Sequence, residues 1–202
     1  MLWVIFSLVL LIAERLAALF LELGLWQWIG VQTLLFTGVP LFFMALFHVE
    51  RRDVGLSLEG FRHGLRYAAA MLIFALPFMV YGAMQPSFKL YYPLWAPARE
   101  GVWSFILFEL AILVMMFNTE FFFRGLLLFN LERSVRNRWA AIVLHAIPYA
   151  LVHIGKPGLE VPYSFFAGVA FGWLALKTRS VATSTVLHWT SSVIFDLMVI
   201  VL

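Results

Sequence analysis

The amino-acid sequence predicts an all-α, polytopic transmembrane helical bundle with about seven spans. Of its 202 residues, 63% are hydrophobic and only 12% are charged, whereas about a quarter of the residues in a soluble domain carry a charge. Long apolar runs recur along the whole chain, and most of them are long enough for a helix to cross a bilayer. No repeat, low-complexity tract or linker separates them, so we predict one transmembrane domain over residues 1–202.

Composition also narrows the chemistry that the chain can perform. Cysteine is absent, which excludes disulfides, thiolate metal sites and a cysteine nucleophile. The formal net charge is only +3. In so apolar a chain, a small basic excess indicates loops that face anionic lipid rather than a nucleic-acid partner.

Polar or proline-containing connections divide the apolar runs into seven predicted spans. The long loop at residues 85–101 carries Tyr91, Tyr92 and Trp95, which suit the membrane interface. We predict that this loop acts as a lid. The predicted spans are residues 2–26, 28–47, 67–84, 102–135, 140–154, 163–176 and 181–202.

The distribution of basic residues predicts the orientation of the chain. Cytoplasmic loops usually carry the excess of Lys and Arg, and a cytoplasmic N-terminus gives that asymmetry here. We therefore predict a multi-pass protein, and its small size favours a bacterial inner membrane. The basic residues placed inside are Arg51, Arg52, Arg62, Arg66, Arg133, Arg136, Arg138, Lys177 and Arg179, and those outside are Lys89, Arg99 and Lys156.

An acid and a base lie one helical turn apart inside the longest apolar run. Glu120 and Arg124 interrupt a segment that is otherwise mostly Phe, Leu, Ile, Val and Met. Ionisable groups at membrane depth cost a few kcal/mol each and usually mark a functional site. Residues four apart share a helix face, so we expect Arg124 to hold the Glu120 carboxylate ionised and oriented. The alternative is a structural ion pair between helices.

Two histidines lie near each other in the fifth predicted span, His145 and His153. A lone histidine in an apolar helix is more often a satisfied core residue, and we prefer that interpretation for His145. A polar connection that contains Lys156 and Glu160 follows His153 and offers water and hydrogen-bond partners. His153 is therefore the stronger candidate for a functional role.

The last predicted span carries a third polar feature. His188, Ser192 and Asp196 recur every four residues and form one stripe on an apolar helix. Asp196 is as costly at membrane depth as Glu120. The alternative is a polar packing seam, because Ser and Thr commonly join helices in membranes.

Three predicted helices thus bring ionisable groups to one interior. A carboxylate with histidines can activate water for attack on a carbonyl group, so hydrolysis inside the membrane is plausible. Paired zinc-protease histidines, a Gly-x-Ser-x-Gly elbow and a glycine-rich phosphate loop are absent from the sequence. We predict no metal and no cofactor.

The motifs Glu120-Phe-Phe-Phe-Arg124-Gly125, Tyr149-Ala-Leu-Val-His153 and His188-Trp-Thr-Ser-Ser192 resemble those of a known family. This is the CAAX prenyl protease 2 and bacteriocin-processing family, also called CPBP or Abi, of glutamic intramembrane proteases. The resemblance covers about residues 102–200 and implies an endopeptidase that cleaves a membrane-associated protein. It implies catalytic roles for Glu120 as the water-activating group, His153 as its assistant and His188 as the oxyanion donor. The supporting residues are Arg124, Asp196, Tyr149 and Ser192, with His145 as the substitute for His153.

Two positions depart from the family pattern. The family shows two adjacent glutamates, of which the first is assigned to water activation, but here Thr119 occupies the first position. The last motif commonly ends in Asn or Asp, whereas this chain has Ser192. The alternatives are a variant protease that uses Glu120, which we prefer, an impaired relative, or a differently arranged site.

The rival function is a non-catalytic membrane scaffold, such as an immunity or partner-binding protein, and a small proton-relaying transporter is a weaker third possibility. The predicted spans also raise a question of depth. Glu120 and His188 fall toward the cytoplasmic half, whereas His153 falls near the outer end of a short span.

Overall fold

The computed structural model describes residues 1–202 and consists of helices joined by turns, with no strand. The all-α prediction is confirmed. The eight helices are α1 (Leu2–Phe20), α2 (Leu25–Leu46), α3 (Phe61–Ala83), α4 (Pro86–Tyr91), α5 (Val102–Val135), α6 (Arg138–Leu151), α7 (Glu160–Thr178) and α8 (Val181–Val201). Short 3-10 turns occupy Arg51–Val54 and Ala96–Arg99.

Five helices, α1, α2, α3, α5 and α8, are long and apolar enough to cross a membrane. The predicted total of about seven spans is roughly compatible with this result, because α6 and α7 lie at the two shorter predicted spans. Helix α6 has 14 residues and is therefore about 21 Å long. This is less than the roughly 30 Å hydrocarbon core of a bilayer, so α6 is too short to cross the core by itself.

Helices α2 and α5 each contain a stretch of wide π-helical turns. In α2 this stretch is Leu34–Gly38, where Pro40 lacks the N–H that an α-helical turn requires. In α5 it is Phe121–Leu128, which begins directly after Glu120 and is buried along its whole length. Such turns are rare and recur at functional sites.

Close packing, rather than the hydrophobic effect, holds these helices together, because lipid tails are as apolar as the side chains. Phe36 of α2 stacks on Phe122 of α5 with ring centroids 3.9 Å apart. A Cβ atom at Gly168 would lie 3.0 Å from the Tyr149 ring. Small residues therefore let α7 approach α6 and bring the Tyr149 end of α6 into the bundle.

A hydrogen-bond network fixes α5 against α2 one turn before the wide segment. The buried Asn118 side chain donates to Thr33 Oγ1 at 2.8 Å and accepts from Thr37 Oγ1 at 2.7 Å. Interhelical hydrogen bonds in membranes contribute about 0.6 kcal/mol each. The network fixes the rotation of α5 and so the direction in which Thr119 and Glu120 point.

Candidate active site

A cavity of about 930 Å³ lies inside the bundle and receives side chains from all eight helices. Its walls are mostly apolar, which suits a membrane-embedded ligand. Polar groups are concentrated on α8 and on the segment from the end of α6 to the start of α7. The polar side chains that line the cavity include Arg15, Gln32, Tyr92, Thr119, His153, Lys156, Glu160, Ser164, His188, Ser191, Ser192 and Asp196.

The Glu120 carboxylate lies directly behind one of the cavity histidines. Its Oε1 atom is 2.8 Å from His188 Nδ1 and 3.1 Å from Arg124 Nη1. The Glu120 side chain has no exposed surface, and it is not among the residues that line the cavity. Thr119, the preceding residue, does line it.

Arg124 is the buried cation of the site. Its guanidinium lies over the Tyr149 ring at 4.0 Å and near the Phe171 ring at 5.3 Å, and it has no exposed surface. None of its side-chain nitrogen atoms has a hydrogen-bond partner, so attraction to Glu120 and to the two rings compensates its charge. The sequence spacing predicted the contact with Glu120, and the structure contains it.

His188 connects the buried charge pair to the cavity. Its Nδ1 atom faces the Glu120 carboxylate, which can only accept a hydrogen bond when ionised. The neutral ring therefore carries its proton on Nδ1 and has a free lone pair on Nε2. The side chain is 18% exposed and lines the cavity, so Nε2 is the nitrogen available to water or substrate.

His153 has the same tautomer for a different reason. Its Nδ1 atom lies 2.8 Å from the Tyr149 carbonyl oxygen, which only accepts, so Nδ1 donates and Nε2 is unprotonated. The Tyr149 ring centroid is 5.0 Å from that of His153 and 6.3 Å from that of His188. Because α6 is short, His153 lines the same cavity as His188. The different membrane depths expected from the predicted spans therefore do not separate the two histidines.

His145, the substitute for His153, does not line the cavity. It is fully buried, and its Nδ1 atom lies 2.7 Å from the Ile142 carbonyl oxygen. A Cβ atom at Gly172 would lie 2.4 Å from the His145 ring, so the imidazole fills the α6–α7 interface. Its position is that of a core residue, and His153 supplies the cavity imidazole of this segment.

The polar residues of α8 have different neighbours. His188 contacts Glu120, whereas Asp196 lies farther along the helix. Ser192 and Asp196 both line the cavity, and the Asp196 carboxyl group lies near Glu109 of α5 and Ser192. Asp196 Oδ1 and both Glu109 side-chain oxygens have no hydrogen-bond partner, and the orienting role of Asp196 stays a prediction. No three histidine or carboxylate side chains are placed to hold a metal ion.

Two sets of polar contacts at the cavity were not predicted from the sequence. At one end, the Tyr92 hydroxyl donates to Glu160 Oε1 at 2.7 Å, and Lys156 Nζ lies 2.9 Å from the same oxygen. Burial, and then the Glu160 charge, raise the pKa of Tyr92 well above its usual value. Tyr92 therefore stays protonated and ties the 85–101 loop to the start of α7.

The other group consists of Glu14 and Arg15 of α1 with Trp28 of α2. A signal for it existed in the sequence, because Glu14 and Arg15 interrupt an apolar run. Adjacent residues on a helix usually point in different directions, so the sequence did not predict that Arg15 pairs with Glu14 or that Trp28 donates to the same carboxylate.

Comparison with known proteins finds one family that the C-terminal half of the chain resembles. Residues 101–194 match the family model described as Rce1-like, type II CAAX prenyl endopeptidase Rce1-like. The match confirms the predicted resemblance, and it includes Glu120, His153 and His188. No curated protein and no solved structure matches the chain.

Proposed function

We propose that this integral membrane protein is an intramembrane endopeptidase. The proposal is supported by the match of residues 101–194 to the Rce1-like family, which is a family of membrane proteases. Its substrate is a membrane-associated protein or peptide, and the reaction is hydrolysis of a peptide bond. One observation carries the proposal. The Glu120 carboxylate holds the His188 imidazole by its Nδ1 atom at 2.8 Å, on a ring that also lines a large cavity beside His153.

In the proposed reaction, His188 is the group that meets water. Its Nε2 lone pair takes a proton from water while the water oxygen bonds to the carbonyl carbon of the peptide. The Glu120 carboxylate stabilises the imidazolium that forms. His188 then returns the proton to the amide nitrogen as the carbon–nitrogen bond breaks, giving a carboxylate and an amine.

This assignment refines the predicted role of Glu120. A base that acts directly on water needs an atom in contact with the cavity, and Glu120 has no exposed surface. We therefore place Glu120 behind His188, where it holds the ring by its Nδ1 atom and faces the positive charge that forms on it. His153 is placed as the second acceptor, because its Nε2 lone pair can hold the attacking water in line with His188.

Arg124 and Tyr149 support these groups, and Arg124 does so from outside the cavity lining. Arg124 keeps Glu120 ionised through the contact at 3.1 Å, and the Tyr149 ring separates Arg124 from His153. The mostly apolar walls contributed by α3 and α7 suit an apolar stretch of the substrate. The proposed reaction needs no cofactor and no nucleic acid. Ser192 lies beside Asp196 and supports the site through that carboxyl group.

The proposed orientation keeps the N-terminus in the cytoplasm of a bacterial cell. The Met1 amino group lies 3.4 Å from Ser134, and basic residues gather at that end. Arg133 contacts Asp53 at 3.2 Å, and Arg179 contacts Glu132 at 2.7 Å. The N-terminus and most basic loops therefore share one end of the bundle, as the rule for cytoplasmic loops requires.

The rival proposal is a non-catalytic scaffold that uses the cavity to bind a partner. It is favoured by one observation: the residue that lines the cavity at the position of the family's first glutamate is Thr119. Under the rival, replacing His188 weakens binding of the partner, and no cleaved product forms with any substrate.

The test is a cleavage assay with the purified full-length protein in liposomes. Membrane-anchored peptides, each with and without a prenyl group, are incubated with the protein, and the products are identified by mass spectrometry. The proposal predicts a new carboxylate and amine pair that is lost in His188→Ala and retained in His145→Gln. No product from the wild-type protein with any peptide, or equal product from His188→Ala, overturns it.

A further inference from the structure

A buried carboxylate of α1 lies close to the helix end that carries His153. Glu14 has no exposed surface, and both of its oxygens accept hydrogen bonds. Arg15 Nε and Nη2 lie 2.5 Å and 2.6 Å from the two oxygens, and Trp28 Nε1 lies 2.6 Å from Oε1. Bidentate pairs of this kind are strong and directional. We call Glu14, Arg15 and Trp28 the α1–α2 clamp.

The clamp continues from Arg15 to the end of α6. Arg15 Nη1, which is not used by Glu14, donates to the Val152 carbonyl oxygen at 3.3 Å. Helix α6 ends at Leu151, and the last carbonyl groups of a helix lack partners within it. A cation at this end also interacts favourably with the helix dipole. Val152 directly precedes His153.

The end of α6 needs such support. Pro148 lies inside α6 and cannot donate the hydrogen bond of an ordinary helical turn. A groove of about 230 Å³ separates α1 from α6, and apart from Arg15 the residues that line it are apolar or proline. Beyond His153, Gly155 has φ of +95°, a conformation that favours glycine and ends the helical path of the backbone. Arg15 therefore bridges a gap where the helices do not pack directly.

We propose that the α1–α2 clamp fixes the His153 imidazole in its reactive position, with Arg15 as the positioning residue. This inference rests on the proposed endopeptidase function. The ring is bonded to the Tyr149 carbonyl oxygen at 2.8 Å, so the position of its Nε2 atom follows the backbone at Val152. The clamp lies outside the segment that matches the Rce1-like family and gives the N-terminal helices a part in the site.

The first test is kinetic. Arg15→Lys keeps the charge but cannot bond Glu14 with two donors and still reach Val152. We expect kcat to fall about 10- to 100-fold, because small misplacements of reacting groups cost this much, while KM stays within about twofold. Guanidinium ions added to Arg15→Ala restore at least part of kcat, and ammonium ions do not. The exposed Arg62→Lys is the matched control.

The second test does not depend on cleavage. Histidine is labelled with ¹⁵N, and the His153 ring signals are assigned by their loss in His153→Ala. The signals shift in Arg15→Lys and Glu14→Gln and stay unchanged in Arg62→Lys. If the signals shift but the wild-type protein cleaves nothing, the clamp stands and the proposed function fails. If the wild-type protein cleaves, while Arg15→Lys has wild-type kcat and unshifted signals, the clamp is overturned.

Discussion

The Nδ1 atom of His188 lies 2.8 Å from the Oε1 atom of Glu120, although the two residues are 68 positions apart in the chain. This contact joins α8 to α5 at the edge of the cavity. Glu120 and His188 form an acid–histidine pair. The imidazole lines the cavity and the carboxylate does not. The protein therefore keeps its charge pair out of water while it presents a basic nitrogen to the cavity.

Arg124 is predicted to be essential for stability. Arg124→Gln leaves the Glu120 carboxylate as an uncompensated buried charge, which typically costs about 3–5 kcal/mol. Reversible unfolding in mixed micelles measures the change. The double variant Glu120→Gln with Arg124→Gln removes both charges and should recover at least half of the loss. Equal stability of Arg124→Gln and the wild-type protein would show that the pair is not held as described.

Thr119 is predicted to limit the rate. It lines the cavity, so Thr119→Glu places a second carboxylate where it can take a proton from water directly. General-base catalysis typically contributes about 10²- to 10⁴-fold, and we expect kcat to rise at least about 10-fold. Thr119→Gln is the control of equal size without the charge. An unchanged or lower kcat in Thr119→Glu with the protein folded would contradict this prediction.

Gly125 is predicted to tolerate no side chain. A Cβ atom there would lie 2.7 Å from the Val54 carbonyl oxygen, a backbone atom that cannot move alone. Gly125→Ala should lower the free energy of unfolding by about 1–3 kcal/mol through overpacking. Gly30→Ala is the matched control in another helix, because nothing lies within 4 Å of that Cβ position. It should be neutral or stabilising by up to about 1 kcal/mol.

The tie between Tyr92 and Glu160 is predicted to weaken at high pH. Burial raises the pKa of Tyr92 well above its usual value, so folding disfavours the phenolate. The stability that this group contributes is complete below about pH 10 and falls as the pH rises toward the pKa of the folded state. The protection factors of the amides in residues 86–99, which compare the observed exchange with the intrinsic rate at the same pH, should therefore fall above pH 10 in the wild-type protein. In Tyr92→Phe, exchange should be faster at neutral pH but less dependent on high pH.

Local spacing predicted part of this structure. The four-residue separation of Glu120 and Arg124 predicted their contact, and the lengths of the apolar runs predicted a bundle of membrane-spanning helices. The roles of Glu120, His153 and His188 stay predictions, which the geometry now makes testable. Contacts within one helix follow from its repeat, so these features needed no knowledge of the tertiary fold.

Contacts between helices could not be predicted in this way. The orienting role of Asp196 stays a prediction, and the nearness of its carboxyl group to Glu109 was not predicted, because the rotation of α8 against α5 is set by packing along both helices. Glu14 finds Trp28 on the next helix, and Arg15 finds Val152 on α6. Each of these contacts depends on how the helices are packed against one another, which the sequence spacing does not specify.

The most direct test of the central claim is the cleavage rate of the double variant Glu120→Gln with Arg124→Gln. This variant lacks the carboxylate but carries no uncompensated buried charge, and unfolding in mixed micelles shows whether it is folded under the assay conditions. Removing the acid from an acid–histidine pair lowers kcat by about 10⁴-fold in serine proteases, and we predict a loss of at least about 10³-fold with the fold retained. Cleavage within tenfold of the wild-type rate would contradict the account, because His188 would then act without Glu120.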